Sequence, residues 1–156
     1  MTLYHGTFMD FQAIELEKCR PYKDFGKGFY LTDLEDQAIK MAEKKAKIFN
    51  GSPVILKYNF DERLLASGEL KVKQFSKPGQ EWAEFIYKNR SRSCAFQHDY
   101  DIVTGPIADD GVAYLLDRYE EGTLTLEQLA NELEFRDLNN QYFFGTEKAL
   151  KHLKRL

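Results

Sequence analysis

Apolar and polar positions along the chain change period several times, and each change marks a predicted element. An apolar-led stretch from Thr2 to His5 reads as a short strand. Residues 10–27 read as loop, broken at Cys19-Arg20-Pro21-Tyr22. Phe29 to Thr32 reads as a second strand that ends at a helix start, because Thr32-Asp33-Leu34-Glu35 matches a capping box. Leu34, Ala38, Met41, Ala42 and Ala46 then recur at helical spacing to about Phe49. After the turn at Asn50-Gly51-Ser52-Pro53 the period drops to two, with Val54, Leu56 and Tyr58 on one side and Ile55 and Lys57 on the other.

The second half alternates in the same manner. Leu70 to Phe75 is a weaker strand, and Pro78 to Arg90 a helix with Trp82, Phe85, Ile86 and Asn89 on one face. Asp101 to Thr104 is a strand running into Gly105-Pro106-Ile107, and Asp109-Asp110-Gly111 opens a helix through Tyr119. Thr125 and Gln128 cap a helix to Leu133. Gln141 to Gly145 forms a last strand and Thr146 to Leu156 a last helix, whose polar face carries the basic stretch Lys148 to Arg155. Irregular alternation of strands and helices places the chain in the α+β or mixed α/β class.

With 156 residues and no repeat or long linker, one domain over 1–156 is expected. The 22 Lys and Arg against 25 Asp and Glu give a formal charge of −3, so there is no global basic field for nucleic acid. No apolar run approaches the ~18 residues of a membrane span. With two distant cysteines and no signal peptide, the expected setting is a reduced cytoplasm and no membrane. Cys94 has the look of a nucleophile in Arg92-Ser93-Cys94-Ala95-Phe96, but a bystander thiol is the simpler reading. His5, His98 and His152 do not cluster at ligand spacing, so no metal is expected.

Two segments carry the candidate chemistry: Tyr4-His5-Gly6-Thr7 and Gly26-Lys27-Gly28-Phe29-Tyr30-Leu31-Thr32. His5 at a strand end can donate a ring N–H to a sugar hydroxyl, while Gly6 offers bare backbone to an amide. Tyr30 offers a stacking face. Together they suit a flat heteroaromatic joined to a sugar, as in a nicotinamide dinucleotide. Lys23 and Lys27 are placed to meet a pyrophosphate, or are simply solvated. Gln141 begins an apolar strand and can point into a cleft edge or cap it. Asp109 and Asp110 suit a helix N-cap, or supply a base. Arg90 can hold a phosphate or pair with a carboxylate.

The order Tyr-His-Gly-Thr, then Phe-Gly-x-Gly-Phe-Tyr-Leu-Thr, then Asp-Tyr-Asp-Ile-Val-x-Gly-Pro-Ile-Ala-Asp-Asp, closed by Gln-x-x-Phe-x-Thr-x-x-Ala-Leu, resembles a bacterial domain family of unknown function, number 3990, related to ADP-ribosyltransferases. The resemblance runs from Leu3 to Leu153. It implies an α+β, ADP-ribosyltransferase-like split β-sandwich with flanking helices, and NAD as co-substrate. His5 and Gly6 would anchor ribose and carboxamide, with Thr7 and Gly28 beside them, and Tyr30 would stack on nicotinamide. In the diphtheria-toxin and poly(ADP-ribose) polymerase branch a third-motif glutamate stabilises the oxocarbenium-like transition state. Gln141 stands at that position here. A neutral amide can accept from a hydroxyl but brings no charge, so Asp109, Asp110 or Glu147 would have to supply it. The implied activity is transfer of ADP-ribose to a protein or nucleic acid, by a toxin held by a small antitoxin. The alternatives are a glycohydrolase, a non-catalytic NAD or ADP-ribose-binding module, and an interaction domain with a vestigial cleft.

Overall fold

Seven strands and five α-helices are present among residues 1–134, 136 and 138–156, which the computed structural model describes. The first sheet is antiparallel in the order β1 (Thr2–Thr7), β3 (Val54–Asn59), β7 (Lys154–Arg155). The second is mixed, in the order β2 (Phe29–Leu31), β6 (Asn140–Phe144), β5 (Ile102–Pro106), β4 (Val72–Gln74), with β4 and β5 parallel. The class is α+β, as the mixed periodicity predicts.

Period-two alternation sends alternate strand residues to opposite faces, and this builds two cores. Leu3, Leu56 and Tyr58 from the first sheet meet Phe29, Leu31, Ile102 and Phe144 from the second in one cluster between the sheets. The opposite face of the second sheet, with Val103 and Phe143, packs on Trp82 and Ile86 of α2 (Gln80–Arg90). Val112 of α3 (Asp110–Glu120) and Leu129 and Leu133 of α4 (Leu126–Leu133) complete this second cluster. Thr125 and Gln128 cap α4 reciprocally, as their spacing predicts.

Helix α1 (Glu35–Phe49) covers the other side of the first sheet through Ala38, Ala42 and Ala46. Leu34 and Met41 remain exposed, so the buried seam is narrower than the apolar pattern suggests. Gly6 explains this. A Cβ built there would lie 2.1 Å from the Ala38 carbonyl oxygen and 2.8 Å from the Ala42 nitrogen, so helix and strand touch backbone to backbone.

Two predicted ends move. Thr32 does not cap α1, whose N-cap is Leu34. Its hydroxyl accepts from the Leu34 N–H at 3.2 Å and donates to Gln37 Oε1, while its backbone pairs with Tyr4. The final helix α5 stops at Glu147–Leu150 instead of running to Leu156. Lys154 and Arg155 then pair with Asn59 and Tyr58, because β3 would otherwise present an open edge. Arg155 anchors this return on the Asp10 carboxylate at 2.5 Å.

Candidate functional site

The two sheets join at one backbone bridge. Tyr4 N–H donates to the Thr32 carbonyl at 2.8 Å, and Thr32 N–H to the Tyr4 carbonyl at 2.9 Å. Backbone groups alternate in direction along a strand. Tyr4 and Gly6 therefore turn the same way, away from β3 and toward β2. A continuing ladder would pair Gly6 with Tyr30, yet β1 has no further pairing with β2. Two side chains hold it open. His5 Nδ1 sits 2.7 Å from the Tyr30 carbonyl, and the Lys45 ammonium donates to the Gly6 carbonyl at 2.7 Å.

These contacts define the imidazole. A carbonyl only accepts, so Nδ1 carries the hydrogen and Nε2 is left with its lone pair. The ring stacks on Phe29 at 4.5 Å and meets the edge of Phe11 at 6.1 Å. Burial, together with the nearby Lys45 charge, lowers its pKa to about 4, so it is neutral at pH 7. The sequence suggests a ring N–H donor toward a hydroxyl. In the fold that donor is spent on Tyr30, and His5 presents an acceptor. Lys45 is itself depressed to about 8, first by burial and then by Lys23 and Arg20.

Tyr30 lies opposite Phe143, and Gly105 opposite Gln141, so Tyr30, Phe143 and Gln141 share one face of the second sheet. The Tyr30 hydroxyl donates to the Gly26 carbonyl at 2.7 Å and accepts from the Phe25 N–H at 3.0 Å. Its ring meets Phe143 edge-on at 5.3 Å. Burial of the hydroxyl pushes its pKa up, so it stays a neutral clasp on the 25–26 loop. The His5 ring lies on the Phe29 side of β2, so it meets Tyr30 through the backbone rather than ring to ring.

Gln141 is buried and belongs to a network. Its Nε2 donates to Asp24 Oδ2 at 2.9 Å and to the Pro106 carbonyl at 3.3 Å. Trp82 Nε1 donates to the same carbonyl at 3.1 Å. Asp24 Oδ1 receives Arg90 through Nε at 2.7 Å and Nη2 at 2.5 Å, and the Ala108 N–H approaches Oδ2 at 3.3 Å. Arg90 thus pairs with a carboxylate, one of the two roles its sequence position allows. Asp24 itself is not legible in the sequence. It sits in a loop with no motif, and only the fold buries it against Gln141.

The remaining candidate carboxylates stand apart. Asp109 caps α3 through the Val112 N–H and pairs with Arg136, while Asp110 lies exposed in the first turn of α3. Neither takes part in the hydrogen bonds of His5, Tyr30 or Gln141. Glu147 is exposed in the first turn of α5. Thr7 is buried at the end of β1. Gly28 is packed so tightly on Phe143 that a Cβ would lie 2.2 Å from the ring. Cys19 and Cys94 are free thiols, and burial pushes the Cys19 thiol up. A surface hollow of about 340 Å³ over the start of α1 is lined by Asp33, Glu35 and Asp36, a poor setting for a phosphate. Among the described residues there is no metal-binding cluster, and no helix is long and apolar enough to cross a membrane.

Among known families, the profile described as Protein of unknown function (DUF3990) matches residues 1–155. No curated protein and no solved structure matches the chain.

Proposed function

We propose that this chain, which belongs to the DUF3990 family, is an NAD-dependent ADP-ribosyltransferase built on an ADP-ribosyltransferase-like split sandwich. The observation that carries the reading is the ladder held open between Gly6 and Tyr30. Gly6 directs an N–H and a C=O into that gap, the complement of a carboxamide. Tyr30 borders the gap, and Gln141 lies diagonally across the strand pair from it. The bare Nε2 of His5 suits a ribose hydroxyl. A carboxamide would compete with Lys45 for the Gly6 carbonyl.

In the reaction the bond between ribose C1′ and nicotinamide breaks, and nicotinamide leaves neutral. An acceptor nucleophile bonds to C1′ and gives up its proton. Gln141 would accept from the ribose hydroxyl. Without a carboxylate at that position, the rate falls by ~10²–10³, judged by the loss of one preorganised electrostatic contact.

Purified protein incubated with labelled NAD and a cell lysate should label a macromolecule and release nicotinamide, and His5→Ala should abolish both. Labelling that persists unchanged in the variant removes His5 from the mechanism. The neutral amide at Gln141 favours one competing reading, a binding module. Tight calorimetric binding of NAD without nicotinamide release would establish it.

A further inference from the structure

We propose that Asp24 is a positioning residue that holds the Gln141 amide with its oxygen outward, so that an amide carbonyl serves as the hydroxyl acceptor of the site. This rests on the transferase reading above, but the geometry behind it is independent of that reading. Both groups facing Gln141 Nε2, the Asp24 carboxylate and the Pro106 carbonyl, can only accept. The NH₂ end must therefore point inward. No donor among the described residues reaches Oε1. Since no fully buried side-chain oxygen there lacks a partner, Oε1 lies at the accessible edge.

The rest of the network keeps Asp24 in its role. Arg90 bonds Oδ1 through two nitrogens and balances the buried charge, leaving Oδ2 for Gln141 and the Ala108 N–H. Trp82 Nε1 donates to the same Pro106 carbonyl and helps to fix it. Every group around Oδ2 is a donor, so an asparagine at position 24 cannot keep the pattern. With its oxygen on Arg90, its NH₂ faces Gln141, and the glutamine must turn over and present NH₂ outward. Gln141→Glu alone sets two carboxylates against each other. Asp24→Asn with Gln141→Glu reverses the donor and acceptor and restores an outward oxygen.

The test measures nicotinamide release from NAD and ADP-ribose binding by calorimetry for the intact chain, with thermal melts to confirm folding. Asp24→Asn should lose about a hundredfold in kcat with little change in KM, the size of one lost oriented contact. The double variant should recover at least tenfold over Asp24→Asn. A purely structural role predicts no such recovery. Additive losses in the double variant, or an unchanged rate in Asp24→Asn, overturn the assignment. If the wild-type chain neither binds ADP-ribose nor releases nicotinamide, the transferase reading fails by itself. Hydrogen exchange at the Gln141 side-chain amide then decides the role of Asp24. Protection that falls at least tenfold in Asp24→Asn supports it, and equal exchange refutes it.

Discussion

Gly6→Ala tests whether the glycine beside His5 is set by the packing of α1 as well as by a ligand. Its Cβ would lie 2.1 Å from the Ala38 oxygen, 2.8 Å from the Ala42 nitrogen and 3.0 Å from the Ala38 carbonyl carbon. Ordinary contact lies near 3.4 Å, so the helix must withdraw by roughly 1 Å. All three obstacles are backbone, and Ala38 and Ala42 beneath them are fully packed, so no rotamer change relieves the clash. Overpacking costs about 1–3 kcal/mol, and a backbone obstacle belongs at the upper end. Reduced freedom of the unfolded chain returns about 0.4–1 kcal/mol. The expected net loss is about 2–3 kcal/mol, seen as a lower urea midpoint at unchanged m and a Tm lower by about 5–10 °C. Stability within about 0.5 kcal/mol of the parent would show that β1 and α1 are not in backbone contact.

Two further outcomes follow from the buried charges. The His5 pKa is about 4 in the fold against an ordinary 6.5, so the unfolded chain binds the extra proton between these values. Stability should therefore be intact above pH 6.5 and fall by up to about 3 kcal/mol as pH drops toward 4. In His5→Gln that part of the slope should vanish in urea titrations, and identical slopes would show that His5 titrates normally. Arg90→Ala leaves the Asp24 carboxylate buried without its cation and should cost about 3 kcal/mol. The double variant with Asp24→Ala should lose less than the sum of the singles; strict additivity would mean the pair does not interact.

Most elements are legible from periodicity alone, since burial acts on every second residue of a strand and on one face of a helix. The strand at Val54–Asn59 and the capped helix at Leu126–Leu133 fall where their patterns place them. The failures sit where a distant partner competes with a local signal. Thr32 has the local chemistry of an N-cap, but Tyr4 claims its backbone and Leu34 takes its hydroxyl. Residues 151–156 carry a helical pattern, but the free edge of β3 draws Lys154 and Arg155 into a strand.

The site divides along the same line. By itself the chain determines that a histidine-glycine step, a tyrosine after a glycine pair and a late glutamine stand on strands, because local spacing and propensity suffice for that. It does not say that His5 spends its donor on the Tyr30 carbonyl, that Lys45 covers the Gly6 carbonyl, or that Asp24 grips Gln141 across 117 positions. Those facts belong to the tertiary structure, because a hydrogen bond depends on which groups the packed sheets and helices bring within 3 Å. Asp24 shows the difference most plainly: in the chain it is one loop carboxylate among 25 acidic residues, and in the fold it is buried against an arginine and the one glutamine that matters.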